Sequence, residues 1–175
     1  MIGYEPEVRV SEVPEVRGAE ERPEDYVQRL SREKASAVAC SDNEVILAAD
    51  TTVVLREGRE VLVLEKPESE EDAFRMIGLL AGKRHEVLTG FSLRYDDTLI
   101  TRIETTVVEF WELSETEMRN YAYSGEPMGK AGAYAIQGLA ARYVKRIEGC
   151  YNNVVGLPTA AVYRQMRSLP FDIKA

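Results

Sequence analysis

Two long apolar-rich runs, residues 84–95 and 99–111, follow each other across a turn at Asp96-Asp97. Runs rich in Val, Ile, Leu and Thr, bounded by turn residues, read as paired strands and commit the chain to a sheet. A second pair is expected at 44–55 and 60–64 around Glu57-Gly58, with a short strand at 7–10 and extended segments at 132–137 and 142–147. Pro23 suits the first position of a helix running to about Cys40. Ser69 with Asp72, and Ser114 with Glu117, resemble capping boxes that open helices ending before Gly82 and at Gly125. Pro158 opens a last helix to about Arg167. Strands outnumber helices and come partly as hairpins, partly separated by helices. The fold class expected is α/β or α+β with a mixed sheet, and not a strictly alternating parallel fold. No internal repeat or low-complexity linker divides the 175 residues, which suffice for one domain with a sizeable core.

Composition removes several functions. A net charge of −8 argues against a broad nucleic-acid surface, while a small phosphorylated ligand needs only a few cations in one cleft. No apolar run reaches the length that crosses a bilayer, and MIGYEPEV has neither the basic region nor the apolar core of a signal peptide. Cys40 and Cys150 are then expected as free thiols in a reducing cytoplasm, a disulfide between them being the alternative. A single histidine, His85, speaks against multi-histidine zinc sites and Ser-His-Asp triads. Because His85 follows Lys83-Arg84 and opens a strand, it reads as an edge or surface residue.

The candidate chemistry starts in ILAADTTVVL, residues 46–55, where Asp50 interrupts a buried-strand pattern. An unpaired carboxylate in an apolar setting costs several kcal/mol or forces its own protonation. One reading is a strand-end aspartate bonded to backbone amides; the other joins Asp50 to cations. Lys34 falls on the apolar stripe of the 23–40 helix with Val27, Leu30 and Val38, so it either snorkels to water or enters a cleft and meets an anion. Lys66 sits at a strand end, held extended by Pro67. The segment GKAGAYAIQG, residues 129–138, is rich in small residues that let backbone approach backbone or ligand, and it supplies Lys130 and Gln137. It is a ligand loop or a tight sheet corner. YNNVVGLP, residues 151–158, reads as a loop leading into the last helix, in which Asn152 and Asn153 are structural anchors, and Glu15 reads as a loop acid. Asp50 with Lys34, Lys66 and Lys130 fits metal-assisted attack of water on a polyphosphate, with lysines clamping the remaining charge.

The motifs EKA (33–35), AADTTVVL (48–55), EKP (65–67), GKRHEVLTG (82–90), KAGAYAIQG (130–138) and GCYNNVVGLP (149–158) occur in the order of the Maf family of nucleotide pyrophosphatases. The resemblance runs from about residue 3 onward. It implies hydrolysis of a nucleoside triphosphate to a monophosphate and pyrophosphate, with Mg²⁺ or Mn²⁺, in a protein that is often a homodimer. The implied fold is the elongated, two-lobed mixed α/β architecture of inosine triphosphate pyrophosphatases, with the site between the lobes. By the resemblance Asp50 is general base or water-orienting carboxylate, Lys34 and Lys66 bind phosphate, and Glu15 helps hold metal. Thr51 and Gln137 match positions of base selection, and AGAYAIQG resembles the branch acting on dTTP and UTP. The family pattern begins with a strand and an S-x-S-P-R-R motif; no such segment occurs here, and MIGYEPEV resembles the stretch that follows it. Pro14, Gly129 and Cys150 also depart from the pattern. Two other readings are a nucleotide-binding or regulatory protein of division control without catalysis, and the same enzyme acting on purine or modified bases.

Overall fold

The computed structural model describes residues 6–41 and 44–169, so the first five residues of MIGYEPEV lie outside the described residues. At its centre is the hairpin expected from sequence. Strands β3 (Arg84–Tyr95) and β4 (Thr98–Phe110) pair antiparallel, from Arg84 opposite Glu109 to Tyr95 opposite Thr98. Strand β1 (Ile46–Glu57) lies on the other side of β3 and folds back on β2 (Glu60–Leu64), while β5 (Val144–Glu148) adds to β4. The order is β2-β1-β3-β4-β5.

Around the sheet stand α1 (Pro23–Ala37), α2 (Glu70–Leu80), α3 (Glu115–Ala122), α4 (Tyr151–Val155) and α5 (Thr159–Met166). Helix and strand mix as expected. Every strand pairing among the described residues is antiparallel, however, where a mixture of directions was expected. Tight turns join β1 to β2 and β3 to β4, and a tight turn joins strands only antiparallel.

Alternation along the strands makes two cores. Val54 and Leu88 face α1 and pack with Tyr26, Val27 and Leu30. Their neighbours Val53 and Val87 face the other way, into a larger cluster with Ile77 and Leu80 of α2, Tyr121 of α3 and Phe110. Helix α1 lies directly on β3, because a Cβ on Gly90 would fall 2.3 Å from the Val27 carbonyl oxygen. One turn further on, Ser31 Oγ and Ser92 Oγ share a hydrogen bond of 2.9 Å. Small residues on the strand thus set the helix close, and Lys34, next on the same stripe, is carried towards β1.

Both capping serines accept a backbone N–H as expected, Ser69 from Asp72 and Ser114 from Glu117. Only the second box is reciprocal, since the Asp72 carboxylate accepts from the N–H of Glu68.

Four local expectations need correction. Residues 7–10 are irregular rather than a strand. Residues 132–137 are not extended: Gly132 and Ala133 hold φ of 67° and 58°, left-handed values that end a strand, within a 3-10 turn at Ala131–Ala133. Residues 151–155 form α4 where a loop was expected. His85 is 2% exposed, not a surface residue. It shares the Val87 face of β3, against the edges of Phe110 and Tyr134, and its charged neighbours mark only the strand end. Among the described residues no helix is long and apolar enough to cross a membrane, and both cysteines are free thiols.

Candidate active site

Strand β2 pairs with β1 only from Val53 onward, so among the described residues β1 has an open edge from Ile46 to Thr52. Asp50 and Thr51 stand on that edge. The pleat sends their side chains to opposite faces of the sheet. One cleft of about 290 Å³ reaches both.

On the α1 side the cleft is ionic. Lys34 Nζ donates to Asp50 Oδ1 at 2.7 Å and to Glu15 Oε1 at 2.6 Å, and Lys66 Nζ donates to Glu15 Oε2 at 2.6 Å. Lys34 therefore bridges two carboxylates and Glu15 bridges two lysines. Of the two readings for Lys34, the cleft is the one observed, and the anions it meets are the chain's own. Burial raises the Asp50 carboxyl above its ordinary value, more than the neighbouring Lys34 lowers it. Glu15 is held below the usual carboxylate range by hydrogen bonds from Lys34 and then Lys66. Burial opposes the Lys34 ammonium, but its bonds to Asp50 and Glu15 outweigh that and raise it. Lys34 stays charged, and Asp50 is the carboxylate made more basic.

On the opposite side the groups around Thr51 are neutral. Thr51 Oγ1 lies 2.9 Å from Thr89 Oγ1, its register partner on β3, and 3.4 Å from the carbonyl oxygen of Gly156. Lys130 and Gln137 line the same cleft from the segment 129–138, with Val154 and Val155 beside them. That segment is at once packed and ligand-facing. A Cβ on Gly132 would sit 2.7 Å from Val53 Cγ2, and the Gly132 N–H is held by the Glu65 carbonyl at 3.0 Å. Asn153 is the anchor expected of it: its Nδ2 donates to the Val87 carbonyl at 2.9 Å and to Thr106 Oγ1 at 3.1 Å.

All seven residues singled out from sequence, Glu15, Lys34, Asp50, Thr51, Lys66, Lys130 and Gln137, line this one cleft. Sequence reading passed over Thr89 and Tyr134. Thr89 looked like any β-branched strand residue, and Tyr134 was one aromatic among small neighbours. A larger groove of about 530 Å³ runs beside residues 44–49 and touches Lys34 at one end. Its other charges are spent on each other, Arg9 against Glu7 and Glu44 at 2.9 and 2.8 Å, so the smaller cleft is the chemical one.

Among the described residues no three His, Cys, Asp or Glu side chains gather as a metal site. Glu15 and Asp50, joined through one ammonium, are two carboxylates lining the cleft. That donor set fits Mg²⁺ completed by phosphate oxygens and water, and not an all-protein cage.

An acid between lysines, opposite a neutral wall, is an arrangement for a polyphosphate with an uncharged head. The family model described as Maf-like protein matches residues 1–169. The chain belongs to the Maf family. This Maf chain is 51% identical over 161 residues to the dTTP/UTP pyrophosphatase of Koribacter versatilis, a match covering 91% of this chain and 81% of that one. It is 50% identical over 154 residues to the dTTP/UTP pyrophosphatase of Clostridium perfringens, covering 86% and 78%. The dTTP/UTP pyrophosphatase of Bacillus cereus is 42% identical over 167 residues, covering 95% of the Maf chain and 86% of the relative.

Proposed function

We propose that this Maf chain hydrolyses nucleoside triphosphates, dTTP and UTP foremost, to the monophosphate and pyrophosphate. The observation that carries this is the single cleft holding Asp50, Lys34, Glu15 and Lys66 in one hydrogen-bonded chain, with Thr51 and Gln137 on its neutral side. The names of the relatives support the pyrimidine preference.

In this reading the triphosphate exchanges its oxygens for the Glu15 carboxylate on Lys34 and Lys66, so two cations already in place take up phosphate charge. Asp50, made more basic by burial, accepts a proton from the water whose oxygen attacks the α phosphorus. The bond from that phosphorus to the bridging oxygen breaks, and pyrophosphate leaves with the bridging oxygen. Lys130 and Gln137 line the same cleft, where in this reading Lys130 takes up charge on the leaving group and Gln137 meets the base. Glu15 and Asp50 would hold Mg²⁺ or Mn²⁺, which supplies polarisation of the phosphate oxygens when bound. The same reading makes the protein a cytoplasmic, single-domain homodimer over residues 1–175. Free Cys40 and Cys150 support the compartment, and the family resemblance supports the dimer.

The test is pyrophosphate release from dTTP and UTP with Mg²⁺ by the chain and by Asp50→Asn. Release by the chain that Asp50→Asn abolishes is expected. No release from either triphosphate, or equal rates in the variant, refutes the assignment.

A further inference from the structure

Gln137 stands between two backbone grips that come from one end of one helix. Among the described residues its side chain has no hydrogen-bond partner, so its direction in the cleft is set by the backbone on either side. Upstream, the Ala135 N–H donates to the Tyr121 hydroxyl at 3.1 Å. Downstream, the Leu139 N–H donates to Glu126 Oε2 at 2.8 Å and the Ala140 N–H to Glu126 Oε1 at 3.3 Å. Tyr121 lies in the last turn of α3, and Glu126 in the turns that follow it.

Glu126 caps a turn that cannot cap itself. Leu139–Tyr143 is a short 3-10 helix whose N-cap is Gly138, a residue with no side chain to accept the first N–H groups. The Glu126 carboxylate takes them instead, and the glycine admits it, since a Cβ there would fall 2.2 Å from Oε2. The Tyr121 hydroxyl accepts from Ala135 and gives its own proton to Glu126, so the two grips are one unit. Burial pushes the Glu126 carboxyl up, but the Leu139 N–H, the Tyr121 hydroxyl and the Ala140 N–H outweigh it and hold the group below its ordinary value. Neither Tyr121 nor Glu126 is among the described residues that line the cleft, so any part they take in binding passes through the segment they hold. Lys130, at the far end of that segment, is seated separately, with the Gly132 N–H on the Glu65 carbonyl beside it.

We propose that Glu126 and Tyr121 are positioning residues of the site, a carboxylate and a phenol that clamp residues 135–140 to the end of α3 and so aim Gln137 at the bound nucleotide. This rests on the proposed function in one respect, that Gln137 meets the nucleotide.

The experiment is calorimetric binding, with Mg²⁺, of the α,β-methylene analogue of UTP, with pyrophosphate release from UTP run in parallel. The chain is compared with Glu126→Ala, Tyr121→Phe and Gln137→Ala, with the first two each combined with Gln137→Ala, and with Glu126→Ala/Gly138→Ser. Glu126→Ala and Tyr121→Phe should each weaken binding about three- to tenfold, the order of one hydrogen bond. On the Gln137→Ala background each should weaken it less than about twofold, because nothing is left to aim. Gly138→Ser, with the carboxylate gone and room for its Cβ, gives the turn a local cap and should restore most of the binding. Should Glu126→Ala fail to fold, Tyr121→Phe, which keeps the buried ring, carries the comparison. Full losses on the Gln137→Ala background overturn the proposal, since the pair would then act through something else, and so does unchanged binding in both single variants. If binding behaves as expected but UTP is not hydrolysed, the proposal stands and the enzymatic reading fails. If Gln137→Ala binds as the chain does, or the analogue does not bind at all, the role of Gln137 and this proposal fall together.

Discussion

Lys34 Nζ lies 2.7 Å from Asp50 Oδ1, a bond between α1 and β1 in which the side chains are only 16% and 11% exposed. Glu15 supplies Lys34 with a second carboxylate, so the lysine does not depend on Asp50 alone. Asp50, for its part, is the costlier group to bury, as its raised carboxyl records. Asp50→Asn removes that cost and keeps the shape. It should lower kcat by about a hundredfold or more, the contribution of a general base, while the melting temperature holds or rises. Pyrophosphate release and calorimetric melting on one preparation decide it; a variant that melts well below the parent would show Asp50 to be structural.

Lys34→Met leaves Asp50 with its burial and without its closest cation. Lys34 is the leading influence holding the carboxyl down, so its loss sends Asp50 further up. The acidic limb of the pH profile of kcat/KM, where Asp50 must be ionised, should move to higher pH. An unmoved limb would mean that another group is the base.

His85 gives a stability test away from the chemistry. Burial pushes its imidazole down to about 3 from 6.5, so the folded chain holds it neutral while the unfolded chain takes up a proton. A depressed histidine gives stability that is full above about pH 6.5 and is lost as pH falls through that window towards 3. Between pH 6 and 5 the slope from this group is at most about 1.4 kcal/mol per pH unit. His85→Phe, which keeps the ring against Phe110, should flatten the urea-midpoint curve there by about that amount. Parallel curves would show that His85 is accessible to protons in the native state.

Gly90→Ala tests how the helix is seated. The new methyl would meet the Val27 carbonyl at 2.3 Å, a backbone atom that cannot swing aside. Overpacking of this kind costs about 1–3 kcal/mol or more. Because α1 also carries Lys34, triphosphate KM should rise together with the loss of denaturation midpoint. Gly58→Ala is the control: nothing lies within 4 Å there, so only its left-handed φ of 62° is strained and KM should hold.

Glu15→Gln separates the metal from the lysines. If Glu15 helps hold the cation, the Mg²⁺ concentration giving half-maximal rate should rise about tenfold with kcat nearly kept. Were Glu15 only an occupant of the two lysines, its neutralisation would lower triphosphate KM and leave the Mg²⁺ requirement alone.

The elements legible from sequence are those set by neighbours along the chain. The β3–β4 hairpin falls where alternating apolar residues and Asp96-Asp97 place it, and α3 begins at the Ser114–Glu117 box. Asp50, Lys34, Lys66, Lys130 and Gln137 were legible because charges and amides among apolar or small residues are conspicuous, whereas Glu15 and Thr51 were reached only through the family resemblance. Thr89 and His85 were not, for the opposite reason. Threonine is at home in any strand, and only the bond to Asn153, 64 positions away, gives Thr89 an orientation. Lys83-Arg84 describe the outside of β3, while His85 answers to Tyr134, 49 positions on, at 2.9 Å from its Nε2.

By itself, then, the sequence determined the long strands and the capped helices, and the charged side chains that are chemically exceptional in them, since both follow from local spacing. Tertiary structure alone decided that these exceptions meet. Asp50 and Thr51 are neighbours that the pleat sends apart, and one cleft nevertheless reaches both, lined by segments as distant as Glu15 and Gln137. The contacts of the Thr51 hydroxyl with Thr89 and Gly156 likewise span 38 and 105 positions, distances over which no local pattern carries information.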